Sequence, residues 1–316
     1  MASQLRLVFC GTPAFAVPSL QGLRSAGHSI ELVLCQPDRP SGRGLTLTVP
    51  PVKQAALEAG LEVLQPEKIR NNTELRSRLE TIRPDAIIVV AYGRLIPGWM
   101  LNLPRFGNLN LHGSLLPKYR GAAPIQWAVA NGETVTGVTT MRLDEGMDTG
   151  DMLLRRELPI GPADTAEELF PRLAEVGAPL MVETLAGLEA GTIAPQKQDS
   201  SLATLAPLLT REDGRVDTTR TVQSIYDRWR GFQPWPGAWT TVRGKKLTLH
   251  QLVVSPSAPQ RGEPGVFRVE ADRLFFAAGD GRVLEVTELQ AEGKRRMPAA
   301  DLLRGHGVVD GDRLGS

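Results

Sequence analysis

LRLVFCGTPAFAVPSLQGL, residues 5–23, opens with an apolar run of strand length, breaks at Gly11-Thr12-Pro13, and resumes with apolar residues at helical spacing. The rhythm repeats: Ile30–Leu34 is followed by Val52–Ala59, and Ala86–Val90 by Ile96–Leu101. Strand-length runs without polar alternation, each followed by a helix-like segment, are the pattern of βαβ units on a parallel sheet buried on both faces. Gly107–Leu111, Gly137–Met141 and Met152–Leu154 continue it as further strands. A long helix is expected from Thr165 to Glu189. Thr165 with Glu168 makes a capping box, and Leu169, Leu173, Val176 and Leu180 recur at helical spacing, with Pro171 and Pro179 as bending points.

The reading that follows is α/β, a Rossmann-like and mostly parallel sheet with helices on both faces, over residues 1–190. After Gly191 the text becomes polar, proline-bearing and unperiodic (IAPQKQDSSLATLAP), so 191–207 reads as a linker. Beyond a short helix at Val222–Arg230, the runs KLTLHQLVV, GVFRV, RLFFAAGDG and RVLEV are short strands with turn signals between them. Residues 208–316 are therefore expected to form a smaller C-terminal β-barrel, OB-like in type.

Composition narrows the function. With 316 residues, 41% apolar and 22% charged, the chain is globular, and 36 basic against 35 acidic residues leave a net charge of +1 and no global field for nucleic acid. Local excess exists: residues 211–246 carry 8 basic and 4 acidic side chains. Cys10 and Cys35 lie inside apolar runs and read as buried reduced thiols, and four scattered histidines exclude a zinc cluster on spacing grounds. The first twenty residues make a poor signal peptide and no apolar stretch is long enough to cross a bilayer, so a cytoplasmic protein is expected.

The loop after the first strand has no G-x-G-x-x-G, and Pro13 stands where a helix would present N–H donors, which disfavours dinucleotide chemistry. The informative strand is Gly107-Asn108-Leu109-Asn110-Leu111-His112. Alternation puts Asn110 and His112 on one face at the carboxyl end, where open α/β sheets bind ligands. His112 alone would read as a satisfied core histidine; Asn110 beside it and Gly113-Ser114 after it shift the reading toward a site. Asp148, in a glycine-rich acidic turn, either caps its own backbone or lies over the strand end against His112. Asn110, His112 and Asp148 together lack a nucleophile but suit oxyanion stabilisation and proton transfer, as in acyl transfer between two bound substrates.

Asn110-Leu111-His112-Gly113-Ser114-Leu115-Leu116-Pro117, Arg120-Gly121-Ala122-Ala123-Pro124-Ile125 and Asp148-Thr149-Gly150 together resemble the folate-dependent formyltransferases. The resemblance extends to Gly11-Thr12-Pro13, Gln36-Pro37-Asp38-Arg39-Pro40, Val90-Ala91-Tyr92-Gly93 and Phe232-Gln233-Pro234-Trp235-Pro236, nearly the whole chain. It implies 10-formyltetrahydrofolate as co-substrate and formyl donor, with no metal. Asn110 and His112 would hold the formyl oxygen, Asp148 would assist His112 and relay the proton, and Ser114, Leu115, Leu116 and Pro117 would line the folate site, bordered by Tyr92 and Gly93.

Residues 36–53 form a Gly/Pro-rich connection too long for an ordinary βα loop. By resemblance it engages the acceptor end of initiator methionyl-tRNA, with Arg43 and Arg39 as contacts. Leu45-Thr46-Leu47 stand where lysines are frequent in relatives, so more binding is expected from the second domain. There the basic residues Arg228, Arg230, Arg243, Lys245, Lys246, Lys294, Arg295 and Arg296 interleave with Trp229, Trp235 and Trp239, and Lys245, Lys246, Arg295 and Arg296 are the expected tRNA contacts. The tryptophans read at least as well as packing residues. The implied protein is a monomer without a membrane partner that formylates methionine on initiator tRNA. Competing readings are a formyltransferase for a small nucleotide-linked amine, a 10-formyltetrahydrofolate hydrolase and a catalytically silent tRNA binder.

Overall fold

The computed structural model describes residues 3–41, 46–254 and 261–316. The chain divides into two compact units: residues 1–124, 135–159 and 169–207 form one, and 125–134, 160–168 and 208–316 the other.

The first unit is built on a seven-stranded sheet in the order Val63–Leu64, Ser29–Leu34, Arg6–Gly11, Ala86–Val90, Asn108–His112, Val135–Arg142, Met152–Pro159. The first four pairings are parallel and the last two antiparallel. Every residue of Ala86–Val90 is buried, as the unalternating sequence requires. On one face Val8, Cys10, Leu32, Leu34, Ile87 and Val89 pack with Leu75, Leu79 and Ile82 of the Thr73–Ile82 helix. On the other, Leu111 lies against Gly177 of the Ala166–Ala190 helix, where an added Cβ would collide with it.

That 25-residue helix begins with the expected capping box: Glu168 N–H donates to Thr165 Oγ1, and Thr165 N–H and hydroxyl donate to the Glu168 carboxylate. It runs through Pro171 and Pro179 without a break. An internal proline costs about 3 kcal/mol; burial of Leu169, Leu173, Leu180, Met181 and Leu185 returns about 1.5–3 kcal/mol for each side chain and outweighs two such losses. The sequence reading passed over the Val63–Leu64 strand and the Pro124–Ala130 and Thr73–Ile82 helices. The last of these is capped by Asn72, whose side chain accepts from Leu75 N–H.

The second unit carries an antiparallel sheet in the order Ala238–Val242, Lys245–Val253, Val283–Ala291, Arg273–Ala277, Phe267–Glu270, with Met297–Pro298 pairing to Val283–Ala291. The Val222–Gly231 helix buries Val222, Ile225 and Trp229 against its core. Arg230, read from sequence as part of a basic surface, is 4% exposed. It pairs with Asp227 at 2.5 Å and donates to the carbonyls of Gly161 and Asp164, so it is a structural group of this unit and not a surface for phosphates. Trp229 and Trp239 are buried packing residues, whereas Trp235 is 55% exposed.

Among the described residues no helix is long and apolar enough to cross a membrane. Both cysteines are free and buried; burial pushes the Cys10 thiol far up and the Cys35 thiol to about 11. A thiol-directed chromogenic disulfide at pH 8 is therefore expected to titrate neither cysteine in the native protein and both after denaturation. Rapid labelling of either in the folded state would contradict this packing.

Candidate active site

The Asn108–His112 strand pairs in parallel with Ala86–Val90, and its register, Ile87 with Asn108 and Val89 with Asn110, places Asn108, Asn110 and His112 on the face that elsewhere carries Val8, Cys10, Ile87 and Val89. Three polar side chains thus interrupt an apolar layer, and each is met differently. Asn108 donates through Nδ2 to the carbonyls of Met100 and Leu101 at 2.8 and 3.1 Å, closing the end of the Gly98–Leu101 helix. His112, 6% exposed, sets Nε2 at 2.9 Å from the Tyr119 carbonyl. Asn110, 9% exposed, has no hydrogen-bond partner for its amide among the described residues. Asn108 Oδ1 is buried without a partner, whereas the Asn110 amide is not wholly shut off from solvent and is free to meet a ligand.

A carbonyl only accepts, so Nε2 of His112 carries a hydrogen, and in the neutral ring the lone pair is on Nδ1. Nδ1 faces Asp148 Oδ2 at 3.7 Å, longer than a hydrogen bond and short enough for strong attraction once the ring is charged. The tautomer is thus set by the Tyr119 carbonyl, and the carboxylate acts on the other nitrogen.

Asp148 is brought there by two loops. Its backbone has φ 55°, a left-handed conformation that aspartate tolerates better than most residues. Oδ2 accepts from Gly121 N–H at 2.9 Å. Gly121 itself has φ 123°, and an added Cβ would lie 2.6 Å from the Ala206 carbonyl. The loop 119–123 is held by residues that the sequence reading treated as linker: Arg120 and Ala206 exchange backbone bonds with the 204–206 segment and the 120 loop, Tyr119 N–H donates to Thr204 Oγ1, and Ala123 N–H to Ala206 O. Gln198 donates to the carbonyls of Asp148 and Gly150. Sequence reasoning missed these partners, because nothing in an unperiodic polar stretch distinguishes a spacer from a segment laid against a site.

The other expected site residues divide. In Ser114–Pro117, Ser114 and Leu116 are fully buried. The Ser114 hydroxyl donates to Lys118 O, Thr139 Oγ1 joins Ser114 O to Leu116 N–H, and Leu116 packs with Met141 and Met152. Leu115 and Pro117 are the partly exposed pair, Leu115 resting on Gly137. Tyr92 and Gly93 follow the neighbouring strand; the Tyr92 ring is 1% exposed in the core, with burial raising its phenol far above the ordinary range, and its carbonyl accepts from Thr12 and Gln36.

Of the expected tRNA contacts, Arg43 lies outside the described residues. Arg39 is exposed in a short ladder of Arg39–Ser41 with Thr46–Thr48. Lys245, Arg295 and Arg296 are exposed on the second unit, Arg296 being paired with Glu288. Lys246, Arg211 and Arg215 gather within 5.2–5.8 Å of the Trp239 ring, and burial, then the Arg211 charge, holds the Lys246 ammonium below its ordinary value. Within the described residues no cluster of His, Cys, Asp and Glu has the form of a metal site.

Residues 5–185 match the formyl transferase family and 208–307 match the formyl transferase C-terminal domain. The chain belongs to the formyl transferase family. A relative from Acidobacterium capsulatum named methionyl-tRNA formyltransferase is 70% identical over 99% of this chain and 100% of its own. One of the same name from Koribacter versatilis is 58% identical over 98% of each. Among solved structures, HypX from Aquifex aeolicus in complex with tetrahydrofolic acid superposes with a TM-score of 0.63 at 20% identity, over 95% of this chain and 47% of that protein. An N-formyltransferase from Helicobacter canadensis, in complex with folinic acid and dTDP-3-aminofucose, gives a TM-score of 0.66 at 17% identity, over 91% of this formyl transferase and 100% of its own chain. These two likenesses establish the fold.

Gly121→Ala is expected to lower the unfolding free energy by about 1–3 kcal/mol, read from urea denaturation, because neither its φ nor the Ala206 carbonyl admits a Cβ. Stability equal to the parent would show that the loop has room to move.

Proposed function

We propose that this protein transfers the formyl group of 10-formyltetrahydrofolate to the α-amine of methionine on initiator tRNA, giving N-formylmethionyl-tRNA. The observation that carries the reading is the Asn110 amide at a strand end, two residues from a histidine whose Nε2 is held by a backbone carbonyl and whose free nitrogen faces a carboxylate. That donor set fits an acyl oxygen acquiring negative charge and a proton leaving an amine, and it contains no covalent nucleophile. Relatives of full length named methionyl-tRNA formyltransferase support the acceptor, and the basic residues of the second unit suit a polyanion.

The co-substrate supplies the formyl carbon. The methionyl nitrogen forms a bond to that carbon, the bond from the carbon to the folate nitrogen breaks, and one proton passes from the first nitrogen to the second. Asn110 donates to the formyl oxygen. His112 Nδ1, left with its lone pair by the Tyr119 carbonyl, takes the proton; Asp148 stabilises the cation so formed, and the proton returns to the departing nitrogen. Leu115 and Pro117 present apolar surface to the folate, with Ser114 and Leu116 fixing their loop, and Tyr92 and Gly93 form a border. Arg39, Arg43, Lys245, Lys246, Arg295 and Arg296 are proposed to meet tRNA, while Arg296 must leave Glu288 to do so. The protein is further proposed to act as a cytoplasmic monomer with no membrane partner; buried free thiols suit a reducing compartment.

The test is single-turnover formylation with 10-formyltetrahydrofolate and initiator methionyl-tRNA, elongator methionyl-tRNA or no tRNA. Transfer to the initiator alone supports the reading; formate release without tRNA would favour the hydrolase, and tRNA binding without turnover the silent binder. Asp148→Asn keeps an acceptor for Gly121 N–H but cannot stabilise imidazolium as a charge, so turnover should fall on the order of a hundredfold with the fold intact. Near-normal turnover would remove Asp148 from the mechanism.

A further inference from the structure

Gln198 lies in the polar stretch after the long helix, where its neighbours Gln196, Lys197, Asp199 and Ser200 are exposed, yet its own side chain is partly buried and fully engaged. The amide NH2 donates to the carbonyls of Asp148 at 2.8 Å and Gly150 at 2.7 Å, and Oε1 accepts from Arg120 Nε at 3.0 Å. Two carbonyls on one side and a guanidinium on the other leave a single orientation for the amide, since a flip would set oxygen against both carbonyls. Its two ends therefore bear on the two supports of the Asp148 carboxylate. One is the 148–150 turn, where Asp148 holds a left-handed backbone; the other is the 120–121 loop, whose Gly121 N–H grips Oδ2.

Arg120 is buried and its own backbone is tied on both sides, to Thr204 O and Ala206 N–H, so it is a fixed anchor. Gln196 exchanges backbone bonds with Met152, which seats the segment carrying Gln198 on the strand that leaves the turn. The chain has thus laid an amide bridge between a rigid loop and a turn in an unfavoured conformation, directly behind the carboxylate that faces His112.

We propose that Gln198 is a positioning residue for the transfer reaction: it holds the Asp148 turn so that the carboxylate stays on His112 Nδ1. The proposal rests on the roles given above to His112 and Asp148. A displacement of about 1 Å in a reacting group can cost up to a hundredfold in rate. Gln198→Leu, which keeps the volume and removes donors and acceptor, should lower kcat roughly tenfold or more while KM for tRNA and for folate each stays within about twofold. Gln198→Glu keeps a partner for Arg120 but sets oxygen against the two carbonyls, and should lose as much.

The deciding experiment is a double-mutant cycle with Asp148→Asn. If Gln198 acts through the carboxylate, Gln198→Leu costs less than about twofold in the Asp148→Asn background. A full tenfold cost there, or unchanged kcat in either folded Gln198 variant, overturns the proposal. The nitrogen resonances of the His112 ring, assigned with His112→Gln, give a readout independent of turnover. They should move in Gln198→Leu in the same direction as in Asp148→Asn, and resonances unmoved by Gln198→Leu would also overturn it. If the parent formylates no tRNA, the functional reading fails by itself, while the resonances still decide whether Gln198 places Asp148.

Discussion

A strand buried on both faces of a parallel sheet has no water to satisfy a polar side chain, so each one placed there must find its partner in the surrounding backbone or be left for a ligand. The strand Asn108–His112 places three on one face and ties two of them, Asn108 through Nδ2 and His112 through Nε2, to backbone carbonyls. Asn108 closes a helix end and His112 leans on the Tyr119 carbonyl, so the strand stays fixed in the sheet while the amide of Asn110 is kept open. The loops around it follow from that arrangement. The 114–121 loop must return over the strand end to supply a carbonyl to His112, and its Gly121 then supplies the N–H that turns Asp148 toward the same ring.

Much of this was legible in the residues alone. Alternation along Asn108-Leu109-Asn110-Leu111-His112 suffices to put two side chains on one face, and apolar runs followed by helical spacing suffice for the sheet. The same alternation places Asn108 on that face as well, and its role as a helix closure required the partner carbonyls. The helix Thr73–Ile82 had its signals, an Asn72 cap and Leu75, Leu79 and Ile82 on one side, but its many charged residues hid the stripe. What could not be read was any bond across long separation: Gln198 meets Asp148 fifty residues away, and a polar stretch carries no periodicity that betrays such a contact.

The basic residues of the second unit show a similar division. Arg230 belongs to a buried pair with Asp227, although in the sequence it looks like its neighbours, whereas Arg243 is exposed and holds an ion pair with Asp312. Arg211, Arg215 and Lys246 instead surround a single indole, an arrangement in which cations of like sign are drawn together by the negative face of the ring and held near one another. Charge counting finds the excess in this region but only packing tells which members are spoken for.

The division of the chain into units has a consequence for synthesis. The first unit has all its segments once residue 207 has been made, whereas residues 125–134 and 160–168 belong to a unit whose remainder begins at 208. The carbonyls of Gly161 and Asp164 meet the guanidinium of Arg230 only after a further 66 to 69 residues have been added. Until residue 208 and beyond are made, these two segments lack the remainder of the unit to which they belong. The nascent chain therefore passes through a stage in which one half can close and the other must wait, and a chain cut at the apparent linker would be arrested there.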